Sequence, residues 1–410
     1  MDVNQALPLL GGLSPAQFMR RHWQKKPLLV RQAIPGFKPV LGRAELFRLA
    51  GREEVEARLI MRKEAGWRMR KGPFLPRSLP AVSLPGWTLL LQGMDMHDKN
   101  AHRLLQLFRF VPDARLDDLM ISFASTGGGV GPHFDSYDVF LLQASGRRRW
   151  AIGKQKDLTL QRDVPLKILQ HFQPEQEYVL EAGDMLYLPP RYAHEGIAEA
   201  ALDERGKPAD CMTYSIGFRA PARQELAAEL LHRLAEFSED AADAQSEVGN
   251  GTDVNSMRTR RRSERGQALY RDPGQEATAT PGELPAALAH FASSVLMEAL
   301  QDPLAVACAL GEYMTALKPS VWFEEVEGHS RSHNAQGLRL DARTRMMYDA
   351  DHVFINGESY RAKGTDARLM QRLANQRALS ARDMARASAD ALELLAQWRE
   401  AGWVLAAEPE

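Results

Sequence analysis

The chain has 410 residues, of which 44% are hydrophobic and 26% charged, with Lys+Arg 52 against Asp+Glu 53 and a formal net charge of −1. The length exceeds one hydrophobic core, which stops growing near ~250–300 residues, and the balanced charge excludes the global basic field of a whole-chain nucleic-acid binder. Only Cys211 and Cys308 are cysteines, which excludes a thiolate zinc site and points to a reducing compartment; no apolar run nears the ~18–20 residues that cross a bilayer.

MDVNQALPLLGG at the start lacks a basic signal-peptide region, so a cytoplasmic, multi-domain protein is expected. Ser14-Pro15 predicts a helix start, with Phe18 and Met19 on its apolar stripe and Trp23 closing the segment. Pro27-Leu28-Leu29-Val30 reads as a short strand. Pro73, Pro76, Pro80 and Pro85 then break the chain before a buried strand at Trp87-Thr88-Leu89-Leu90-Leu91. Between residues 119 and 218, short β-rich runs at 120–124, 137–143, 149–152, 178–180, 185–188 and 212–218 are punctuated by Gly and Pro. That texture predicts a mainly β core, an antiparallel barrel or double-sheet jelly roll.

After Pro221 the period becomes helical, with Leu226, Leu230, Leu231, Leu234 and Phe237, then Leu284, Leu288, Phe291, Val295 and Leu300. Residues 238–266 between them read as a polar, flexible insertion. Its Arg258, Arg260, Arg261 and Arg262 read as a solvated loop in preference to an RNA contact. Asn356-Gly357, flanked by Val353-Phe354-Ile355 and Ser359-Tyr360, predicts a hairpin. Helices follow at 366–376 and 381–400. This small α+β unit is winged-helix-like, suited either to DNA contact or to packing. The expected organisation is a mixed segment at 1–90 packing on a barrel at 91–220, a helical region at 221–305, and the winged-helix-like unit at 306–410.

The chemistry gathers in the barrel. In Gly131-Pro132-His133-Phe134-Asp135, residues i and i+2 of an extended strand share a face, so His133 and Asp135 can hold one ion. Gly127, Gly128 and Gly129 before them let backbone pass close to the site. Gly183-Asp184 makes a turn, and Pro189-Pro190 ends strand pairing so that His194 can swing back. Two imidazoles and a carboxylate on one face of an octahedral ion suit non-haem Fe(II) oxygen chemistry. Zinc with the same ligands would favour hydrolysis, and ligand types alone leave the two open.

A third element selects between them. In Arg147-Arg148-Arg149-Trp150-Ala151-Ile152, Arg148 shares the face of Trp150 and Ile152 and is directed inward. A buried guanidinium needs an anion. A dicarboxylate cosubstrate would supply it with bidentate geometry; the competing partners are Asp138 and Asp184. His97, His171 and His232 have no partner at ligand spacing and read as structural or exposed.

Residues ~90–220 resemble a JmjC domain, the cupin-type double-stranded β-helix of Fe(II)- and 2-oxoglutarate-dependent oxygenases. The whole chain is similar to bacterial ribosomal oxygenases through Trp23-Gln24-Lys25-Lys26-Pro27-Leu28-Leu29, Gly131-Pro132-His133-Phe134-Asp135-Ser136-Tyr137-Asp138-Val139-Phe140, Gly146-Arg147-Arg148-Arg149-Trp150 and Tyr214-Ser215-Ile216-Gly217-Phe218-Arg219. The resemblance implies iron on His133, Asp135 and His194, and 2-oxoglutarate on Arg148 with help from the Ser122 hydroxyl. It further implies dioxygen as the oxidant and an arginine of a large-subunit ribosomal protein as the target. Tyr137 and Asp138 are candidates to seat the substrate guanidinium. The family architecture also implies a homodimer through the helices after Pro221, with nucleic-acid contact by the C-terminal unit left open. A JmjC-type lysine demethylase, or a metal-bound ribosome-associated scaffold without turnover, are the competing functions.

Overall fold

Side-chain alternation along residues 139–152 sets the architecture. Phe140, Leu142 and Ala144 bury in one core with Phe18, Phe108 and Tyr187, whereas Val139 and Leu141 bury in a second with Trp150, Ile152, Leu180, Leu186 and Leu188. A strand covered on both faces by different layers belongs inside a sandwich. The computed structural model describes residues 2–63, 66–203, 205–243, 284–324 and 337–407.

Residues 2–220 supply eleven strands: β1 (Leu28–Val30), β2 (Ala57–Lys63), β3 (Gly66–Lys71), β4 (Trp87–Leu91), β5 (Leu116–Ala124), β6 (Val139–Ser145), β7 (Arg147–Gly153), β8 (Gln176–Leu180), β9 (Met185–Leu188), β10 (Ala193–Glu199) and β11 (Cys211–Phe218). Eight form one sheet in the order β1-β9-β6-β11-β5-β4-β2-β3, and the remaining three form a second, β10-β7-β8. All the pairings are antiparallel. The segment preceding residue 91 is thus part of the large sheet, since it contributes β1 through β4.

The outer face of that sheet is closed by aromatic packing. Helix α1 (Pro15–Arg21) begins with a capping box between Ser14 and Gln17, two orphan backbone donors satisfied reciprocally. The helix presents Phe18 to Tyr187 and Phe140, at ring-centroid distances of 4.9 and 5.4 Å. With one face closed in this way, polar groups that function must lie between the two sheets.

Three differences from the sequence expectation arise here. Strand β10 is unforeseen, although it carries His194. The hairpin β2–β3 and the helices α2 (Arg43–Leu49) and α3 (Lys99–Gln106) are also new.

The second unit comprises residues 221–318 and 323–410. Helix α4 (Arg223–Asp243) runs past Ser238, where the polar insertion was expected to begin, and α5 (Ala286–Leu300) and α6 (Pro303–Thr315) are the next described helices. Residues 244–283, with the Arg258–Arg262 cluster, lie outside the described residues. The expected hairpin is present as β14 (His352–Ile355) and β15 (Glu358–Arg361), after β12 (Leu338–Leu340) and β13 (Met346–Tyr348). Asn356 and Gly357 have φ of 49° and 94°, the positive pair that a two-residue turn of this hand requires. Helix α7 (Gly364–Gln376) matches its expected span. The expected helix 381–400 is split into α8 (Ala381–Met384) and α9 (Ala389–Glu400), because Ser380 and Ser388 each cap a new start.

Candidate metal centre

Strand pairing assembles the site. In the β10–β7 ladder His194 lies opposite Ile152, Gly196 opposite Trp150 and Ala198 opposite Arg148. Cross-strand partners share a face, and Trp150 and Ile152 belong to the core between the sheets. His194, Gly196, Ala198 and Arg148 therefore look inward. The other edge of β10 is covered by the glycine loop. Gly127 N–H donates to the Ala198 carbonyl at 2.8 Å, Ala198 N–H to that of Gly128 at 2.9 Å, and His133 and His194 exchange backbone bonds of 2.9 and 2.8 Å.

The glycines are what permit this approach. A Cβ on Gly128 would stand 2.3 Å from the Trp87 oxygen, and one on Gly129 would stand 2.5 Å from the Gly196 oxygen. His133 and Asp135 were expected on a regular strand. They lie instead outside any strand, in a segment joined to β10 by an isolated bridge at His133. The two residues and His194 nevertheless converge, with one potential ligand atom from each, all within 4.8 Å of one another.

The histidines are held ready to donate electron pairs. Nδ1 of His133 lies 2.9 Å from the Gly131 carbonyl oxygen, and Nδ1 of His194 lies 2.9 Å from that of Tyr192. A carbonyl can only accept, so each Nδ1 carries the proton and each Nε2 keeps its lone pair. Nε2 of His194 is 3.7 Å from Oδ2 of Asp135, and the two imidazole centroids are 4.2 Å apart. Burial, reinforced by His133 and opposed by Asp135, pushes the His194 pKa down to about 4. This ring is neutral near pH 7, as a ligand must be.

Tyr137 is 39% exposed, two residues beyond Asp135. Desolvation and the Asp135 and Asp118 charges hold its phenol above the ordinary range. Asp117 adds to the same field. Asp138, by contrast, is fully buried with its carboxylate on the Tyr187 hydroxyl, Gln24 Nε2 at 3.1 Å and Arg115 Nη2 at 3.6 Å. Its negative charge is spent inside the fold.

Arg148 is 4% exposed, and its Nε and Nη2 atoms are buried with no hydrogen-bond partner. Its neighbours point the other way: Arg147 faces Glu181 and Glu199, and Arg149 faces Glu177 and Glu199. The two carboxylates that could have neutralised Arg148 are engaged elsewhere, Asp138 as above and Asp184 by Arg31 at 2.6 Å. Burying an unpaired charge costs several kcal/mol. The Trp150 ring, 5.8 Å from the guanidinium carbon, offsets part of that through its π face. The same ring lies 5.8 Å from the His194 imidazole. Cation and metal ligands are thus two short steps apart along one inner face.

Ser122, 3% exposed, donates its hydroxyl to the Thr213 carbonyl at 3.2 Å. It alternates with Ala124, which packs on Ala198, the register partner of Arg148. Ser122 consequently faces the sheet that carries Arg148.

Sequence reasoning missed the Gly131 and Tyr192 carbonyls that set the two tautomers. Both stand two residues before their histidine, a repeated spacing that was legible. It also missed Gly196, whose Cβ would lie 2.6 Å from the Trp150 ring. Gly196→Ala is expected to destabilise the protein by about 1–3 kcal/mol through overpacking, checked by urea unfolding; an unchanged midpoint would mean that the indole does not lie against β10.

Residues 103–226 match the JmjC domain model and residues 298–404 the ROXA-like winged helix model. Over 212 residues the chain is 40% identical to the ribosomal protein uL16 3-hydroxylase of Escherichia coli (strain K12), covering 51% of this chain and 53% of that protein. Over 214 residues it is 35% identical to a probable ribosomal oxygenase of Haemophilus influenzae, covering 51% and 50%. These matches span about half the length of the curated relatives. Solved structures agree over more of the chain. The E. coli ribosomal oxygenase YcfD in complex with cobalt and 2-oxoglutarate superposes with a TM-score of 0.75 at 28% identity, covering 96% of this chain and 98% of that one. A second structure of that oxygenase gives 0.74 at 28% identity, covering 97% and 98%.

Proposed function

From the premise that this is a JmjC-domain chain built like the bacterial ribosomal oxygenases, we propose that it is an Fe(II)- and 2-oxoglutarate-dependent oxygenase hydroxylating an arginine side chain of a large-subunit ribosomal protein. The observation that carries the reading is the buried, unpartnered guanidinium of Arg148 on the inner face that also bears His194. A scaffold that merely held a metal has no use for that cation.

Bound Fe(II) with 2-oxoglutarate and dioxygen would supply an oxidant that inserts one oxygen atom into a C–H bond, the keto acid leaving as succinate and carbon dioxide. His133 and His194 would donate Nε2, and Asp135 a carboxylate oxygen. Arg148 would grip the far carboxylate of the keto-diacid by charge-assisted, bidentate bonds, and Ser122 would add a hydroxyl donor by turning its O–H away from the Thr213 carbonyl. The inter-sheet core around Trp150 excludes water from that carboxylate and so strengthens the grip.

The arginine target is what the resemblance implies, and Tyr137, 39% exposed and two residues beyond Asp135, is placed to meet it. We assign Tyr137 to that substrate contact. The sequence offered Asp138 as well, but its carboxylate already has Arg115 and Tyr187 as partners. A ribosomal substrate places the reaction in the cytoplasm, and among the described residues no helix is long and apolar enough to cross a membrane.

The test is mass spectrometry of a uL16-derived peptide after incubation with the protein, Fe(II) and 2-oxoglutarate. A gain of one oxygen on arginine is expected. Oxygen on another residue type removes the arginine assignment, loss of a methyl group from a methylated peptide supports a demethylase, and no change with any ribosomal peptide supports the scaffold. The homodimer implied by the resemblance is supported by the exposed Val295, Leu296, Met297 and Leu300 of α5, an apolar surface that a second copy would cover. Light scattering should give twice the 45.9 kDa chain mass; a monomer would contradict it.

A further inference from the structure

Residues 57–91 hold seven lysines and arginines against a single acid, Glu64, in a chain whose net charge is −1. The excess is local, and it falls on hairpin β2–β3 and the turn after it. Strand β3 is the last strand of the large sheet, pairing with β2 alone. Arg62, Arg68, Arg70, Lys71 and Arg77 are exposed, and none of the five forms an ion pair with any described residue. Arg58 differs, since it is engaged by Glu56 at 3.8 Å and Gln92 at 3.0 Å.

Cations on an edge strand have an ordinary use, which is to discourage pairing with another chain. One or two suffice for that. Here Arg68 and Arg70 stand on one face, about 7 Å apart at strand spacing, and Arg62 stands with Trp67 on the opposite face. The charge therefore wraps the free edge from both sides. Like charges so placed repel one another, a cost that edge protection does not require and that a polyanion would remove.

The composition distinguishes among polyanions. Four of the five unpaired cations are arginine, whose planar fork matches phosphate oxygens. Trp67 stands among them, half-buried, with Arg62 5.6 Å over its ring. Interleaved arginine and aromatic groups on an open surface suit a single-stranded nucleic acid, with phosphates on the cations and bases beside the ring. The strip also reaches the metal loop, because a Cβ on Gly131 would lie 2.7 Å from the Trp67 ring. We propose that the β2–β3 edge binds the phosphate backbone of RNA. The inference rests on no part of the oxygenase reading.

The experiment is fluorescence anisotropy of a labelled 20-nucleotide single-stranded RNA with the full-length protein across a salt series. Wild-type affinity should fall with salt, with a log–log slope of about −2 to −4 for three to five phosphate contacts. Arg68→Glu/Arg70→Glu/Lys71→Glu should weaken binding by about tenfold or more and flatten the slope by about 2. The neutral Gln triple, as a milder version that keeps the fold, should move both in the same direction. Lys363→Glu/Arg368→Glu on the winged-helix unit should change neither. Absence of wild-type binding would mean that the cations only guard the edge, and equal binding by the triple variants would overturn the placement. Loss in the winged-helix variant would move the contact to that unit. Poly-glutamate competing as well as RNA would mark a surface for acidic protein instead.

Discussion

His194→Ala should abolish metal-dependent hydroxylation, lowering turnover by about a thousandfold or more, since a catalytic metal contributes several kcal/mol to the transition state. His194 is the most completely enclosed of the three proposed ligands, 2% exposed, with its tautomer fixed by Tyr192 and its backbone paired to His133. Alanine keeps the backbone bridge and deletes only the Nε2 donor. Equilibrium dialysis with Co(II) should show the metal lost, while circular dichroism shows β structure retained. Turnover above one tenth of wild type in this variant would remove His194 from the ligand set. Asp135→Asn, which leaves the core untouched, should fail in the same way.

Arg148→Met should act in two opposite directions. Methionine nearly conserves the side-chain volume and removes the charge. In the protein without cosubstrate the guanidinium is buried and unpaired, so its removal should raise stability by about 1–4 kcal/mol. With cosubstrate, the loss of charge-assisted hydrogen bonds worth about 1.5–3 kcal/mol should raise the 2-oxoglutarate KM by roughly 10- to 150-fold, leaving metal affinity alone. Thermal melts and steady-state kinetics read the two effects separately. A destabilised variant with unchanged KM would show that Arg148 has a structural anion in the fold after all.

These two residues were legible in the sequence for different reasons. Arg148 was placed by alternation: Trp150 and Ile152 had to be buried, and period two put Arg148 with them while sending Arg147 and Arg149 outward to Glu199. His194 was recognised by its pairing with His133 and Asp135, yet its strand was not. Ala193–Glu199 mixes Glu195, Gly196 and Glu199 with apolar residues, so its composition does not read as β. Gly196 looks like a breaker until Trp150 is seen lying across it. The same holds for β2–β3, where Arg58, Arg62, Arg68 and Arg70 obscure an alternation completed only by pairing. Asp138 shows the converse limit. Beside a metal-ligand motif it read as substrate-facing, and only the distant Tyr187, Gln24 and Arg115 reveal an internal anchor.

Anaerobic calorimetric titration of 2-oxoglutarate into Co(II)-loaded protein bears most directly on the claim that one cation and one arginine together hold a keto-diacid. One equivalent should bind to the wild type, with affinity collapsing when EDTA strips the metal and again, independently, in Arg148→Met. Equal binding with and without the metal, or in the presence and absence of the arginine, would contradict it.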